Sequence, residues 1–141
     1  MNLIINLTQH SMTEEQYKYN DENLVEIKFK PYNGTSLGSP DYVKRLLNFN
    51  SKPDKKEIIS RAIALAAYAS GLLNQAKNND DKLFALIGGA PYLMGELEEA
   101  LKQNGIQPLY AYSERESVET INADGTVIKT AVFKHKGYIE A

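Results

Sequence analysis

The sequence predicts a single α/β domain of 141 residues, with a mostly parallel sheet flanked by helices and a β-hairpin at the C-terminal end. Short apolar runs typical of buried strands alternate with amphipathic helix patterns, and the chain ends in two strands around a turn sequence. Each apolar run is followed by a polar or glycine-rich loop. This alternation favours parallel strands joined by right-handed crossovers, which is a Rossmann-like arrangement.

Composition supports one ordinary globular domain spanning residues 1–141. Hydrophobic residues make up 43% of the chain and charged residues 24%, the usual balance of a soluble protein. A chain of this length can bury a stable core without disulfides or a structural metal ion. The absence of cysteine excludes disulfides, thiolate catalysis and zinc ribbons.

The net charge of −2 argues against binding to duplex nucleic acid or to an anionic membrane, because both favour a strong basic excess. A small anionic ligand held by a few local donors is still allowed. The two histidines, His10 and His135, are too few for a His-rich metal site, and we expect neither a metal nor a cofactor. The N-terminal residues lack a signal-peptide pattern, which predicts a cytoplasmic protein.

The first third of the chain predicts two strands. Leu3–Leu7 is a short apolar run, and Leu24–Phe29 alternates apolar and polar residues. Between them, Thr13 and Gln16 form a capping-box pattern, so we expect a helix to begin at Thr13. The segment Asn33–Gly38 is expected to be a flexible loop.

Two helices are predicted in the middle of the chain. Ser39 and Pro40 have the pattern of an N-cap followed by proline at the first helical position. The short helix that follows presents three apolar residues on one face: Val43, Leu46 and Leu47. A longer helix, from about Asp54 to Lys77, carries many alanines, which implies close packing against a sheet or a partner helix.

The strand Leu83–Ile87 has no alternation, which is typical of a central parallel strand covered on both faces. The turn Gly88-Gly89-Ala90-Pro91 leads into a helix that Asn104-Gly105 ends with a left-handed cap. The inward face of that helix is apolar: Leu93, Leu97, Ala100 and Leu101.

The last strands are predicted at Pro108–Tyr112, Glu116–Ile121 and Val127–Lys134, the latter two forming a hairpin around Asn122-Ala123-Asp124-Gly125. We expect this hairpin either to add antiparallel strands at one sheet edge or to form an arm that grips a second subunit.

Ligands of open α/β sheets bind beyond the carboxyl ends of the strands, and the first loop there is Thr8-Gln9-His10-Ser11. His10 can donate a hydrogen bond to a phosphate or act as a general acid. The alternative is that Thr8 and His10 only satisfy the helix start and nearby carbonyls.

The second loop is the glycine turn, Gly88-Gly89-Ala90-Pro91. Its backbone N–H groups and the following helix dipole favour an anion, and glycines allow a ligand to approach the backbone. The turn is neither a Walker A loop nor a dinucleotide fingerprint. The alternative is a tight strand-to-helix turn that needs no ligand.

The third predicted loop covers residues 112–117. Arg115 can clamp a phosphate, Tyr110 and Tyr112 can stack on a base, and Ser113 sits where the strand is expected to end. The alternative for Arg115 is a surface ion pair with one of three neighbouring acids: Glu114, Glu116 or Glu119.

Two C-terminal blocks, Leu109–Glu119 and Asp124–His135, resemble small CRISPR-associated Rossmann-fold (CARF) proteins, and in particular stand-alone ring nucleases of type III CRISPR systems. The polar loop around His10 is similar, as is the glycine turn before Tyr92-Leu93-Met94. The resemblance implies a CARF-like domain in antiviral defence. It also implies a homodimer that binds a cyclic oligoadenylate second messenger across its two-fold axis.

The resemblance further implies metal-independent cleavage, in which a ribose 2′-hydroxyl attacks the neighbouring phosphate. The residues to which it assigns catalysis are His10, Ser113, Arg115 and Glu116; those expected to bind the ligand are Thr8, Gln9, Gly88, Gly89, Ala90 and Tyr112. Two alternatives stay open. One is a nucleotide sensor or sequestering protein that does not cleave, and the other is an interaction protein without a nucleotide site.

Overall fold

The computed structural model describes residues 2–19, 22–26 and 40–141. Three expectations lie wholly or partly outside these residues: the end of the strand Leu24–Phe29, the loop Asn33–Gly38 and the N-cap Ser39. The elements, in chain order, are β1 (Asn2–Leu7), a 3-10 helix η1 (Glu14–Tyr17), β2 (Lys18–Tyr19), β3 (Glu22–Glu26), α1 (Pro40–Leu47), α2 (Lys55–Ala76), β4 (Lys82–Ile87), α3 (Pro91–Gln103), β5 (Gln107–Ile121) and β6 (Val127–Glu140).

These strands form a six-stranded sheet in the order β2-β3-β1-β4-β5-β6. Strand β1 runs parallel to both β3 and β4, and β4 runs parallel to β5. The short strand β2 and the last strand β6 are antiparallel to their neighbours. The predicted fold is therefore confirmed: an α/β protein with a mostly parallel sheet and a C-terminal hairpin.

The main core lies between one face of the sheet and helices α1, α2 and α3. Alternate residues of β1 and β4 contribute to it, among them Leu3, Ile5 and Ile87. The α2 alanines at this surface are at most 1% exposed, which allows the close approach predicted from the sequence. Helix α2 begins where expected, because the Asp54 carboxylate accepts a hydrogen bond from the Glu57 N–H at 2.8 Å.

The opposite sheet face has a smaller core, formed by Ile4, Phe84, Leu86, Leu109 and Met12, with Tyr138 packed against it. The Tyr138 hydroxyl donates a hydrogen bond to the Gln16 backbone carbonyl. Strand β4 is thus buried on both faces, as its unbroken apolar run predicts.

The prediction of a helix from Thr13 is wrong in type and length. The Gln16 side chain forms its half of the capping box, because the Thr13 N–H donates to Gln16 Oε1 at 2.9 Å. The Gln16 N–H donates to the Thr13 backbone carbonyl at 3.0 Å. However, only the four-residue η1 follows, and β2 then pairs with β3. No apolar helical repeat follows Gln16, so no buried helix face opposes strand pairing.

The predicted loop at residues 112–117 is also wrong. Strand β5 continues through it, so the two strands expected at Pro108–Tyr112 and Glu116–Ile121 are one. Pairing with β6 extends to Ile121↔Val127, with a register shift between Tyr112 and Ser113. The hairpin turn is confirmed, since the Asn122 N–H donates to the Thr126 carbonyl at 2.8 Å.

Candidate functional site

The sheet has a topological switch point between β1 and β4. From β1 the chain reaches β3 on one side; it returns through α1 and α2 to β4 on the other side. The carboxyl ends of β1 and β4 are level, with Leu7 opposite Ile87. Such a position is where open α/β sheets bind ligands.

A cavity of about 530 Å³ opens at this switch point. Its lining comes from the first loop, the Gln16 side of η1, the end of β4 with the glycine turn, and the middle of β5. The lining residues are Thr8, Gln9, His10, Ser11, Gln16, Leu86, Ile87, Gly88, Gly89, Tyr110 and Ala111. The first loop and the glycine turn, two of the three predicted loops, therefore meet at this cavity.

Asn6 organises the first loop. Its side-chain oxygen accepts hydrogen bonds from the Thr8 N–H at 2.9 Å and from the Thr8 hydroxyl at 2.6 Å. Its amide nitrogen donates to the His10 carbonyl. The local role foreseen for Thr8 is therefore real, because its hydroxyl is used within the loop, whereas the His10 side chain is exposed at the cavity.

Gln9 connects this loop to the segment between α1 and α2. Its side-chain amide donates to Asn48 Oδ1 at 2.8 Å. The Asn48 carbonyl in turn accepts a hydrogen bond from the Arg61 guanidinium. The position of Gln9 at the cavity is thus fixed by contacts outside its own loop.

The glycine turn lies directly beside the first loop. A Cβ atom at Gly88 would contact the Thr8 methyl group at 3.7 Å. Gly89 has a φ of +148°, a conformation that side-chain-bearing residues rarely adopt. Helix α3 then begins at Pro91 without a side-chain cap, so the positive end of its dipole lies next to the turn.

Tyr110 forms part of the cavity wall, and its hydroxyl donates to Glu98 of α3 at 3.0 Å. Burial, together with the Glu98 carboxylate, raises the pKa of Tyr110 to about 12. The phenol is therefore a neutral group at physiological pH, and Tyr110 is one of the residues that line the cavity.

The remaining predicted residues lie away from this lining. Ala90 and Tyr112 are next to lining residues but outside the set, and Ser113, Arg115 and Glu116 lie farther along β5. Glu116 forms an ion pair with Lys136 at 2.9 Å, and Lys136 holds the pKa of that carboxyl below its usual range. Exposed Arg115 lies opposite Phe133 in the strand register. The expected meeting of all three loops does not occur within one copy.

Sequence reasoning missed the roles of Asn6 and Gln16 at this site. Asn6 lies inside the apolar run Leu3–Leu7, and a polar residue at that position is a signal that could have identified it. Gln16 was assigned only to the capping box; it also lines the cavity. Its second role depends on where η1 lies relative to β4, which local sequence does not encode.

Across residues 2–19, 22–26 and 40–141, no three His, Asp or Glu side chains cluster in a way that could hold a metal ion. Within those ranges, no helix combines the length and apolar character that crossing a membrane requires.

The fold and cavity define a Rossmann-like α/β protein with a potential ligand site at its switch point. Residues 2–139 match the Uncharacterized protein MJ1673 family, and the chain belongs to that family. No curated protein and no solved structure matches the chain.

Proposed function

We propose that this protein binds a cyclic oligoadenylate, with a nucleotide phosphate held in the switch-point cavity. The observation that supports this most is the proximity of the His10 loop and the Gly88-Gly89 turn, which line the same cavity. The turn offers backbone N–H groups near the start of α3, a favourable environment for a phosphate. The adenylate class rests on the resemblance of the C-terminal blocks to CARF proteins.

The size and wall of the cavity also support a nucleotide ligand. A volume of about 530 Å³ lies within the range of roughly 300–1,000 Å³ that small-molecule sites occupy. Tyr110 supplies an aromatic surface for a base. A ring of several nucleotides exceeds one such cavity, so we propose that two copies share it across a two-fold axis, in the cytoplasm.

Cleavage of the bound ring requires more chemical groups at the site than binding does. The ribose 2′-oxygen would form a bond to the adjacent phosphorus as the bond from phosphorus to the 5′-oxygen breaks. His10 would give a proton to the leaving oxygen, and the 2′-hydroxyl proton would pass to solvent or to Glu116. The product would be a linear oligoadenylate with a 2′,3′-cyclic phosphate.

A specific observation favours binding without cleavage as the second candidate. Ser113, Arg115 and Glu116 lie outside the cavity lining, so one copy does not bring them to the phosphate site. Cleavage that uses them requires a second copy to supply them, whereas phosphate binding at His10 and the glycine turn does not.

Calorimetric titration with cyclic tetra- and hexa-adenylate tests binding, with linear tetra-adenylate as the comparison ligand. We expect His10→Ala to weaken binding by about tenfold or more, the effect of losing one charge-assisted hydrogen bond. The matched control is His135→Asn, because His135 is the other histidine and does not line the cavity.

Product analysis separates the two candidates. The wild-type protein is incubated with each ring in the presence of a chelator, and products are identified by mass spectrometry. A linear product with a cyclic phosphate supports cleavage, and an intact ring with measurable binding supports the sensor. If no cyclic oligoadenylate binds, or if His135→Asn weakens binding as much as His10→Ala, the proposal fails.

A further inference from the structure

Strands β5 and β6 extend beyond the core as a two-stranded ribbon, formed by residues 113–121 and 127–135. Every residue from 111 to 134 is exposed except half-buried Glu116. Nine residue pairs make the ribbon about 27 Å long at the usual rise per residue. A two-stranded ribbon without a packed face is marginally stable in water, so this extension needs a partner surface.

One face of the ribbon is suited to burial. Residues that are opposite each other or two apart along a strand share a face, and the register pairs Val118 with Thr130 and Thr120 with Ile128. Five uncharged side chains, all branched at Cβ, therefore form a continuous patch, called here the β-branched face: Val118, Thr120, Ile128, Thr130 and Val132. Its three apolar members are each 42–49% exposed.

The other face also carries exposed apolar side chains, Ile121 and Val127 at the tip and Phe133 near the core, but charged residues separate them. The Glu119 carboxylate and the Lys129 ammonium group form an ion pair at 3.6 Å in its middle, and Arg115 lies on the same side. Burying this face would remove charged groups from water, which is costly unless each is fully paired.

Charges at the core end of the β-branched face are divided between the strands. Glu114 and Glu116 lie on β5, whereas Lys134 and Lys136 lie on β6. This side of the ribbon therefore has an acidic strand and a basic strand. Such a surface is self-complementary when the acidic strand of one copy faces the basic strand of another.

We infer that the β-branched face packs against the same face of a second copy, with the two-fold axis running along the ribbon. This axis sets β5 of one copy opposite β6 of the other, so the glutamates of each copy lie across from the lysines of its partner. An axis perpendicular to the strands and lying in the plane of the face would instead stack β5 on β5. The inference does not depend on any ligand.

The oligomeric state of the full chain tests this inference by sedimentation velocity at micromolar concentration. We expect a species of twice the 15.8 kDa chain mass. Replacing Ile128 and Val132 with lysine should raise the dissociation constant by about a hundredfold or more, because four charges enter an apolar interface. The matched control is Phe133→Ser, which removes the 77% exposed apolar side chain of the opposite face and should leave the mass unchanged.

Charge exchange tests the orientation of the two copies. A variant with Glu114→Lys and Glu116→Lys carries two basic strands, and a variant with Lys134→Glu and Lys136→Glu carries two acidic strands. Each alone should sediment as one copy, and an equimolar mixture should recover the two-copy species. A one-copy wild type, dissociation by Phe133→Ser, unchanged mass in the double-lysine variant, or no recovery on mixing would each overturn the inference.

Discussion

Single polar residues determine the geometry of the candidate site. Asn6 is a polar residue in an otherwise apolar strand end, and it fixes the loop that presents His10. Gln9 fixes the same loop to Asn48. The Asn6 contacts are local, and a polar residue at the end of an apolar strand is their signal in the sequence. The contact between Gln9 and Asn48 joins residues 39 positions apart, so no local pattern indicates it.

The two glycines of the turn should differ in their tolerance of a side chain. At Gly89 the φ of +148° strains any other residue, so Gly89→Ala should lower the free energy of unfolding by about 1–3 kcal/mol. At Gly88 an added Cβ meets only the Thr8 methyl, at an ordinary contact distance of 3.7 Å. We therefore expect Gly88→Ala to change stability by less than about 0.5 kcal/mol.

Urea unfolding of the two variants measures this difference directly. Equal destabilisation would show that crowding, rather than backbone conformation, constrains the turn. Gly88→Ala also reports on the proposed phosphate site, because an extra methyl group should hinder a ligand that approaches the backbone while leaving folding intact.

At the scale of elements, the sequence predicts correctly those helix ends that depend on contacts between neighbouring residues. The cap of α2 at Asp54 forms as expected. The end of α3 also forms, with Gly105 at φ +72° and the Ile106 N–H bonded to the Leu101 carbonyl at 3.0 Å. These features depend on residues within one helical turn, which a single sequence displays in full.

The long strand β5 was not predictable in the same way. Its segment from residue 112 to 117 is polar on both faces, since neither face is buried against the core. A strand without a buried face has no apolar alternation to identify it, and its pairing with β6 depends on residues far along the chain. The prediction of a longer helix from Thr13 failed for a related reason, because the pairing of β2 with β3 ends η1.

The contact between β6 and η1 should make stability depend on pH through His135. The His135 ring packs edge-on against the Tyr138 ring, with 4.9 Å between the ring centroids. Among the described residues neither ring nitrogen has a hydrogen-bond partner, and both are removed from solvent. Burial lowers the pKa of His135 below its ordinary value of 6.5, and the nearby Glu15 carboxylate offsets this only in part.

The direction of the effect follows from proton linkage. Well above pH 6.5 the ring is neutral in both states and its contribution to stability is complete. As the pH falls below 6.5 the unfolded chain binds a proton before the folded chain does, so the free energy of unfolding decreases. One proton limits the slope to about 1.4 kcal/mol per pH unit. Carboxyls with lowered pKa, such as Asp81 and Asp124, act only at more acidic pH.

Urea unfolding between pH 7.5 and 5.5 measures this slope. We expect a decline for wild type and a flat profile for His135→Phe, which retains the edge-on ring contact without a titratable nitrogen. The His10→Ala control should retain the decline. A slope that persists in His135→Phe would assign the dependence to another group.

At the scale of the whole molecule, strand order decides where the site lies. The alternation of elements predicted a parallel sheet, but the order β3-β1-β4-β5 results from long-range pairing that no local pattern specifies. Within this order, the pairing of β1 with β4 places the His10 loop beside the glycine turn. The same order leaves β5 and β6 at the sheet edge, where the ribbon extends away from the site-forming core.

The core and the ribbon should therefore be separable. Replacing residues 114–134 with Asn-Gly joins the cross-strand pair Ser113 and His135 by a two-residue hairpin turn. Because the removed residues are almost all exposed, we expect cooperative unfolding to persist and the Tm to change by less than about 4 °C. If the β-branched face joins two copies, this variant should sediment as one copy. Loss of cooperative unfolding would show that the ribbon stabilises the core, and a retained two-copy species would locate the interface elsewhere.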